Sequence, residues 1–198
     1  MNRPIEGDRA FIKRLEILVT SKDRGALAAL RCGRGKPPGS VRGMDQYVIP
    51  FLPAEIKQNK EDIYYLVAAL FAYWHQGQEE AISGEGNIGS SLRLMVEQEA
   101  QKGVDARENA SKRLDKRLTA LLDSHSDDLP NHLGQIVSLL KSAAIPINWL
   151  QLLHDLKGWE WESRDVQRNW AREFWARRQR SIQSEETDTN ESSTIIEV

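Results

Sequence analysis

EDIYYLVAALFAYWH, residues 61–75, decides the fold class. Ile63, Leu66, Val67, Leu70, Phe71 and Trp74 recur at steps of three and four, the spacing that lines one side of a helix with 3.6 residues per turn. Ala68, Ala69 and Ala72 occupy the remaining circumference. A helix with so little polar face belongs at the centre of a fold rather than on its surface.

The same period extends in both directions. Upstream, Phe11, Leu15, Leu18 and Val19 line a first helix, and Ala26, Leu27, Ala29 and Leu30 make a short second one ended by Gly33 and Gly35. Pro37-Pro38 makes 33–43 a loop, and Pro50 and Pro53 confine any helix around Tyr47 to a short piece. Downstream, Ile88, Leu92, Met95 and Val96 close the first half, with a stop at Lys102-Gly103. Asp105 and Glu108 form a loose capping box before Ala110, Leu114, Leu118, Leu121 and Leu122. Leu133, Ile136, Val137 and Leu140 mark the next helix. Asn148 is placed to cap one bearing Trp149, Leu152, Leu153 and Leu156, and Ser163 to cap a last one with Val166, Trp170 and Phe174 inward. No segment of the body alternates like a strand. The expected architecture is all-α: an N-terminal helical bundle over 1–103, a C-terminal helical bundle over 104–182, and a disordered acidic tail over 183–198. Trp149, Trp159, Trp161 and Trp170 are expected to lock the second core.

Composition narrows the function. The 198 residues are 40% hydrophobic and 28% charged, the balance of an ordinary globular chain. The start, MNRPIEGDRAFIKRL, lacks the apolar core of a signal peptide, and no apolar run reaches the roughly 18 to 20 residues that a bilayer span requires. A cytoplasmic location without membrane contact is expected. Cys32 is the only cysteine, which excludes an internal disulfide and is expected to be a small packed residue. The formal charge is −2, but residues 181–198 hold five acids (Glu185, Glu186, Asp188, Glu191, Glu197) and no Lys or Arg, leaving +3 on residues 1–180. The body is therefore mildly basic.

Catalytic patterns are missing. Gly84, Gly86 and Gly89 spell GEGNIG, formally a dinucleotide fingerprint, but that motif works at a strand-to-helix turn and the preceding segment here is helical. GRGKPPGS lacks the Gly-Lys-Ser/Thr ending of a phosphate loop. His75, His125, His132 and His154 show no paired-ligand spacing, and no acid stands in a pattern that separates a general acid from a solvated face. Neither an enzyme activity, a cofactor nor a metal is expected.

Basic faces recur instead. In DRGALAALRCGRG, residues 23–35, an apolar helix runs into a glycine-punctuated turn carrying Arg31, Arg34 and Lys36, where flexible backbone beside guanidiniums suits phosphate contact. Along 105–123, Lys112, Arg113 and Lys116 project opposite the leucines, with Arg117 on the flank. Arg164, Arg168 and Arg172 form a stripe on the last helix, with Trp175 on the same side, where it could stack on a base. Each face could equally be a solvated surface on a protein that binds other proteins only.

In combination, DRGALAALRCGRG, LFAYWHQ followed by NIGSSLRLM, KRLDKRLTALL, LGQIVSLLKSAAIPINWLQLLHDLKGWE and VQRNWAREFW resemble the CasB family, the small subunit of the type I-E CRISPR surveillance complex Cascade. The resemblance spans most of residues 8–178. It implies two small helical bundles and a non-catalytic subunit present as a pair of copies. Its partners would be the backbone and large subunits, the CRISPR guide RNA and the displaced single-stranded DNA of an R-loop. Arg24, Arg31 and Arg34 match the basic end of the family's early helix, and Lys116 and Arg117 its basic pair in the second bundle. Cys32 and Gln135 depart from more basic positions in relatives.

Overall fold

The computed structural model describes residues 6–176 and contains no strand among them. The helices are α1 (Glu6–Thr20), α2 (Arg24–Arg31), α3 (Asp45–Val48), α4 (Gln58–Trp74), α5 (Ile88–Ala100), α6 (Val104–Leu122), α7 (Leu129–Ser142), α8 (Trp149–Lys157) and α9 (Asp165–Ala171). Short 3-10 turns flank α3, the second of them holding Pro50, and α9 runs on into a π turn over Arg172–Ala176.

The segment that decides the fold class is the hub. Helix α4 packs on α1, α2 and α3 at one end of the chain and on α7 and α8 at the other. Val67, Ala68, Leu70, Phe71 and Ala72 are all buried, so it is enclosed on nearly every side. Fully burying a Leu or Phe side chain contributes roughly 1.5–3 kcal/mol. The alanines allow the neighbouring helices to approach closely. Both bundle segments supply this core, Phe11, Leu30 and Phe71 joining Leu133, Trp149 and Trp170 in one cluster.

Buried polar groups tie the helices together. Tyr64 on α4 donates to the buried carboxylate of Asp8 on α1 at 2.6 Å. Lys157 on α8 reaches the same Asp8 oxygen at 2.5 Å and the Tyr64 hydroxyl at 2.7 Å. Burial, followed by that carboxylate, pushes the Tyr64 hydroxyl pKa far above the ordinary tyrosine range. Trp170 on α9 donates its indole N–H to Asp155 on α8 at 2.6 Å, beside Gln151 at 2.7 Å.

One cap is as expected: Asn148 accepts from the Gln151 backbone amide at the start of α8. On α5, Asn87 and Ser90 make a reciprocal capping box. Helix α6, however, starts at Val104 behind Gly103, whose φ of 122° no Asp105 box could replace. Ser163 does not cap α9. Arg164 holds that position in the left-handed region at φ 49°, and the Ser163 hydroxyl turns to Asp165. Trp149, Trp159 and Trp170 are buried, but Trp161 is 46% exposed and lies outside the core.

The GEGNIG glycines have packing roles. A Cβ on Gly84 would stand 2.7 Å from the Pro146 carbonyl oxygen, and one on Gly89 would overlap the Trp170 carbonyl. Their spacing follows from helix approach, with α4 rather than a strand preceding them. No helix among the described residues is long and apolar enough to cross a membrane. The expected disordered tail, 183–198, lies outside the described residues.

Candidate nucleic-acid interface

The turn after α2 and the facing ends of α4 and α7 bring two cations over one aromatic ring, with Arg31 close enough to act on one of them. The Arg34 guanidinium carbon sits 3.9 Å from the centroid of the Tyr73 ring, and the Lys141 ammonium 4.5 Å from the same centroid. Lys141 donates to the Tyr73 carbonyl at 2.5 Å and approaches the Gln76 carbonyl at 3.4 Å, a cation at the negative end of α4. Burial lowers the Lys141 pKa from its ordinary value; Tyr73 opposes the shift, and Arg31 and Arg34 add smaller lowering contributions. No carboxylate figures among the causes. Arg31 is half-buried, while Arg34 and Lys36 are exposed.

Helix α7 carries this cluster toward α6. The Tyr73 hydroxyl bonds to Ser138 at 3.0 Å, and Arg117 donates to Gln135 at 3.0 Å. Gln135, Ser138 and Lys141 follow one another at steps of three along α7, so the ends of this row are about 9 Å apart along the axis. Arg117 therefore joins Arg34 and Lys141 through a continuous polar row. Arg113 lies one turn from Arg117 and Lys112 one turn from Lys116, extending the basic surface along α6. Arg113 and Lys116 are exposed, whereas Lys112 pairs with Glu108 at 3.2 Å. Arg24 is exposed at the opposite end of α2, about 10 Å from Arg31 by helical rise.

The arginine stripe expected on the last helix does not form. Arg164, left-handed at the cap, donates to the Leu122 carbonyl at 2.6 Å and stands 3.7 Å from Asp123. It closes the C-terminus of α6. Arg168 bonds to the Ser163 carbonyl and lies 3.9 Å from Asp165. Arg172 is exposed, but in the π turn, so helical spacing no longer aligns it with the other two. Trp175 is not a free stacking platform: its indole N–H donates to Asp115 on α6 at 2.5 Å and its ring packs edge-on against Phe174.

Lys36 rims a separate groove of about 460 Å³ floored by Ile63, Leu129 and Trp159. Asp62, Asp127 and Glu160 stand on the same rim, so this groove does not extend the cationic surface. Cys32, expected to be packed, is exposed in the basic turn. No cluster of three metal-ligating side chains occurs among the described residues.

The CRISPR-associated protein Cse2 family model matches residues 26–175, a span that holds Arg31, Arg34, Tyr73, Arg117 and Lys141. The chain belongs to the Cse2 family. A curated Cse2 protein of Thermus thermophilus is 32% identical over 151 residues, covering 76% of this chain and 78% of that protein. The crystal structure of CasB from Thermus thermophilus superposes with a TM-score of 0.66 at 31% identity, over 86% of this chain and 98% of that one. A chain of a structure described as a CRISPR RNA-guided surveillance complex, pre-nicking, gives a TM-score of 0.71 at 26% identity, over 93% and 98%. The CasB resemblance is thereby confirmed. Within the Cse2 fold the residues that the sequence reading missed are Lys141 and Tyr73. Lys141 is the only basic residue in LGQIVSLLKSAAIPIN, and Tyr73 is one of three tyrosines on the largely apolar α4, but neither position alone indicates the other.

Proposed function

We propose that this chain is a non-catalytic subunit of an RNA-guided CRISPR surveillance complex and that its basic surface holds the displaced single strand, and the guide–target backbone beside it, when the guide pairs with its target. The supporting observation is that Arg34 and Lys141 lie over the Tyr73 ring, that Arg31 is close enough to act on Lys141, and that no carboxylate figures among the charges acting on Lys141. Strand exchange between a DNA duplex and an RNA–DNA heteroduplex is nearly balanced in energy, so a few backbone contacts suffice to tip it. The partners in this reading are the backbone and large subunits, a second copy of this chain, and guide RNA. The setting is cytoplasmic antiviral defence.

The test is reconstitution. The chain should co-purify with the other subunits and guide RNA, and the assembled complex should retain an R-loop. Replacing Arg31, Arg34, Lys116 and Arg117 by glutamate should leave assembly and helical content intact while shortening R-loop lifetime. Parent-like R-loop retention by that variant would favour a structural adaptor that touches proteins only.

A further inference from the structure

We propose that the acidic segment of this same chain, Glu185 to Glu191, occupies the Arg31–Arg34–Lys141 cluster when no nucleic acid is bound, so that the protein carries a competitor for its own polyanion site. The inference rests on the reading of that cluster as a polyanion site.

Three observations support it. The cluster is cationic by geometry: Arg34 and Lys141 lie over the Tyr73 ring, Arg31 is close enough to act on Lys141, and no carboxylate figures among the charges acting on Lys141. The complementary charge is concentrated in one place, because residues 181–198 hold Glu185, Glu186, Asp188, Glu191 and Glu197 without a single Lys or Arg. The reach is sufficient. The described chain ends at Ala176 in a π turn packed on α5 and α9, with Trp175 bonded to α6, and α6 packs on α7, which bears Lys141. Helices pack about 8–10 Å apart, so the cluster lies roughly 20 Å from that end. Glu185 is nine residues beyond Ala176 and Glu191 fifteen, which at about 3.3 Å per residue span roughly 30–50 Å. Tethering holds the acids near the cations at an effective concentration of the order of millimolar, enough to compete with a weakly bound polynucleotide.

Two measurements on the full-length protein test this. Carbodiimide coupling without nucleic acid, read by mass spectrometry, should join Lys141 to Glu185, Glu186 or Asp188 at low salt. Substituting all five acids (Glu185→Gln, Glu186→Gln, Asp188→Asn, Glu191→Gln, Glu197→Gln) should tighten binding of an oligothymidine about five-fold at 50 mM salt and less than two-fold at 300 mM, since screening weakens the internal contact. The same five substitutions made together with Arg31→Gln, Arg34→Gln and Lys141→Gln should change affinity by less than two-fold, because the tail then has no cluster to leave. Equal tightening in both backgrounds would show diffuse repulsion, and no tightening together with no cross-link would show the acids to be engaged elsewhere, for instance with Arg177, Arg178 and Arg180. Either result overturns the inference while leaving nucleic-acid binding intact. Failure of every variant to bind DNA would instead sink the underlying reading, and the cross-link alone would then decide whether the segment docks.

Discussion

Replacing Arg31, Arg34 and Lys141 together by glutamine should change the salt dependence of single-strand binding more distinctively than the affinity itself. The parent surface offers six cations on α2 and the turn after it, α6 and α7: Arg31, Arg34, Arg113, Lys116, Arg117 and Lys141. If each meets one phosphate, log K falls with log salt at a slope of about −0.7 per contact, or about −4 in all, so affinity drops roughly 300-fold between 50 and 200 mM salt. Removing three contacts halves the slope and reduces that drop to about 20-fold. Glutamine is the informative replacement because it keeps N–H donors for the Tyr73 and Gln76 carbonyls while removing the charge. The loss of two cation–π contacts at about 0.5–1 kcal/mol each, and of a cation at a helix C-terminus at about 0.3–1 kcal/mol, should lower the melting temperature by roughly 3–12 °C, which a thermal melt of the variant checks. Fluorescence anisotropy of a labelled oligonucleotide over a salt series gives both slopes. A triple variant with the parent slope would refute the assignment of phosphate contacts to this cluster, whatever happens to the affinity.

Other outcomes follow from the buried groups. Lys157→Met strands the Asp8 carboxylate, only 2% exposed, and should cost about 3 kcal/mol in urea unfolding, with Asp8→Asn in the same chain recovering most of it. Gly89→Ala pushes a methyl into the Trp170 carbonyl and should destabilise by about 3 kcal/mol, whereas Gly134→Ala on α7, with nothing within 4 Å of the new methyl, should stabilise by about 0.5–1 kcal/mol. His75 is buried, donates through Nδ1 to the Phe71 carbonyl and accepts at Nε2 from the Ile82 amide, so burial lowers its pKa below 6.5. The unfolded chain takes up this proton near 6.5 and the folded one resists it. Its contribution is therefore complete above that pH and declines as the pH falls through 6.5 toward the folded pKa, by up to about 1.4 kcal/mol per unit. Unfolding midpoints from pH 7.5 to 5.5 should show this decline in the parent and less of it in His75→Gln.

Helix positions were legible in the sequence because burial imposes the 3.6 period directly: every residue of the 63–74 apolar set is buried or half-buried in α4. The last helix was legible only on its inward side. Val166, Trp170 and Phe174 are buried as spaced, but the outward stripe fails at both ends, at Arg164 through its left-handed cap and at Arg172 through the π turn. Periodicity reports what a core requires and says nothing about whether a surface arginine finds a carbonyl. Arg164 closes α6 across 42 residues of sequence, a partnership that no local spacing encodes. The cluster around Tyr73 was half-read for the same reason. Arg31 and Arg34 announce themselves in a glycine-rich turn, while Lys141 reaches them only because α4 and α7 pack together.

The fold uses its cations in two ways. Lys157 and Lys60 satisfy interior oxygens between α1, α4 and α8, and Arg164 and Arg168 satisfy carbonyls around the start of α9; these lower the energy of the folded chain by themselves. Arg31, Arg34 and Lys141 do the reverse in part, since the lowered pKa of Lys141 records a folded state that disfavours its charge. Burial is the main reason, with Arg31 and Arg34 adding to it, and an entering polyanion offsets that cost, including one supplied by the chain itself. A cation held partly out of water beside two arginines is poised to bind phosphate backbone without regard to base sequence. Arginines already committed to carbonyls and carboxylates would gain far less from that encounter, because each would have to release a partner before accepting a phosphate.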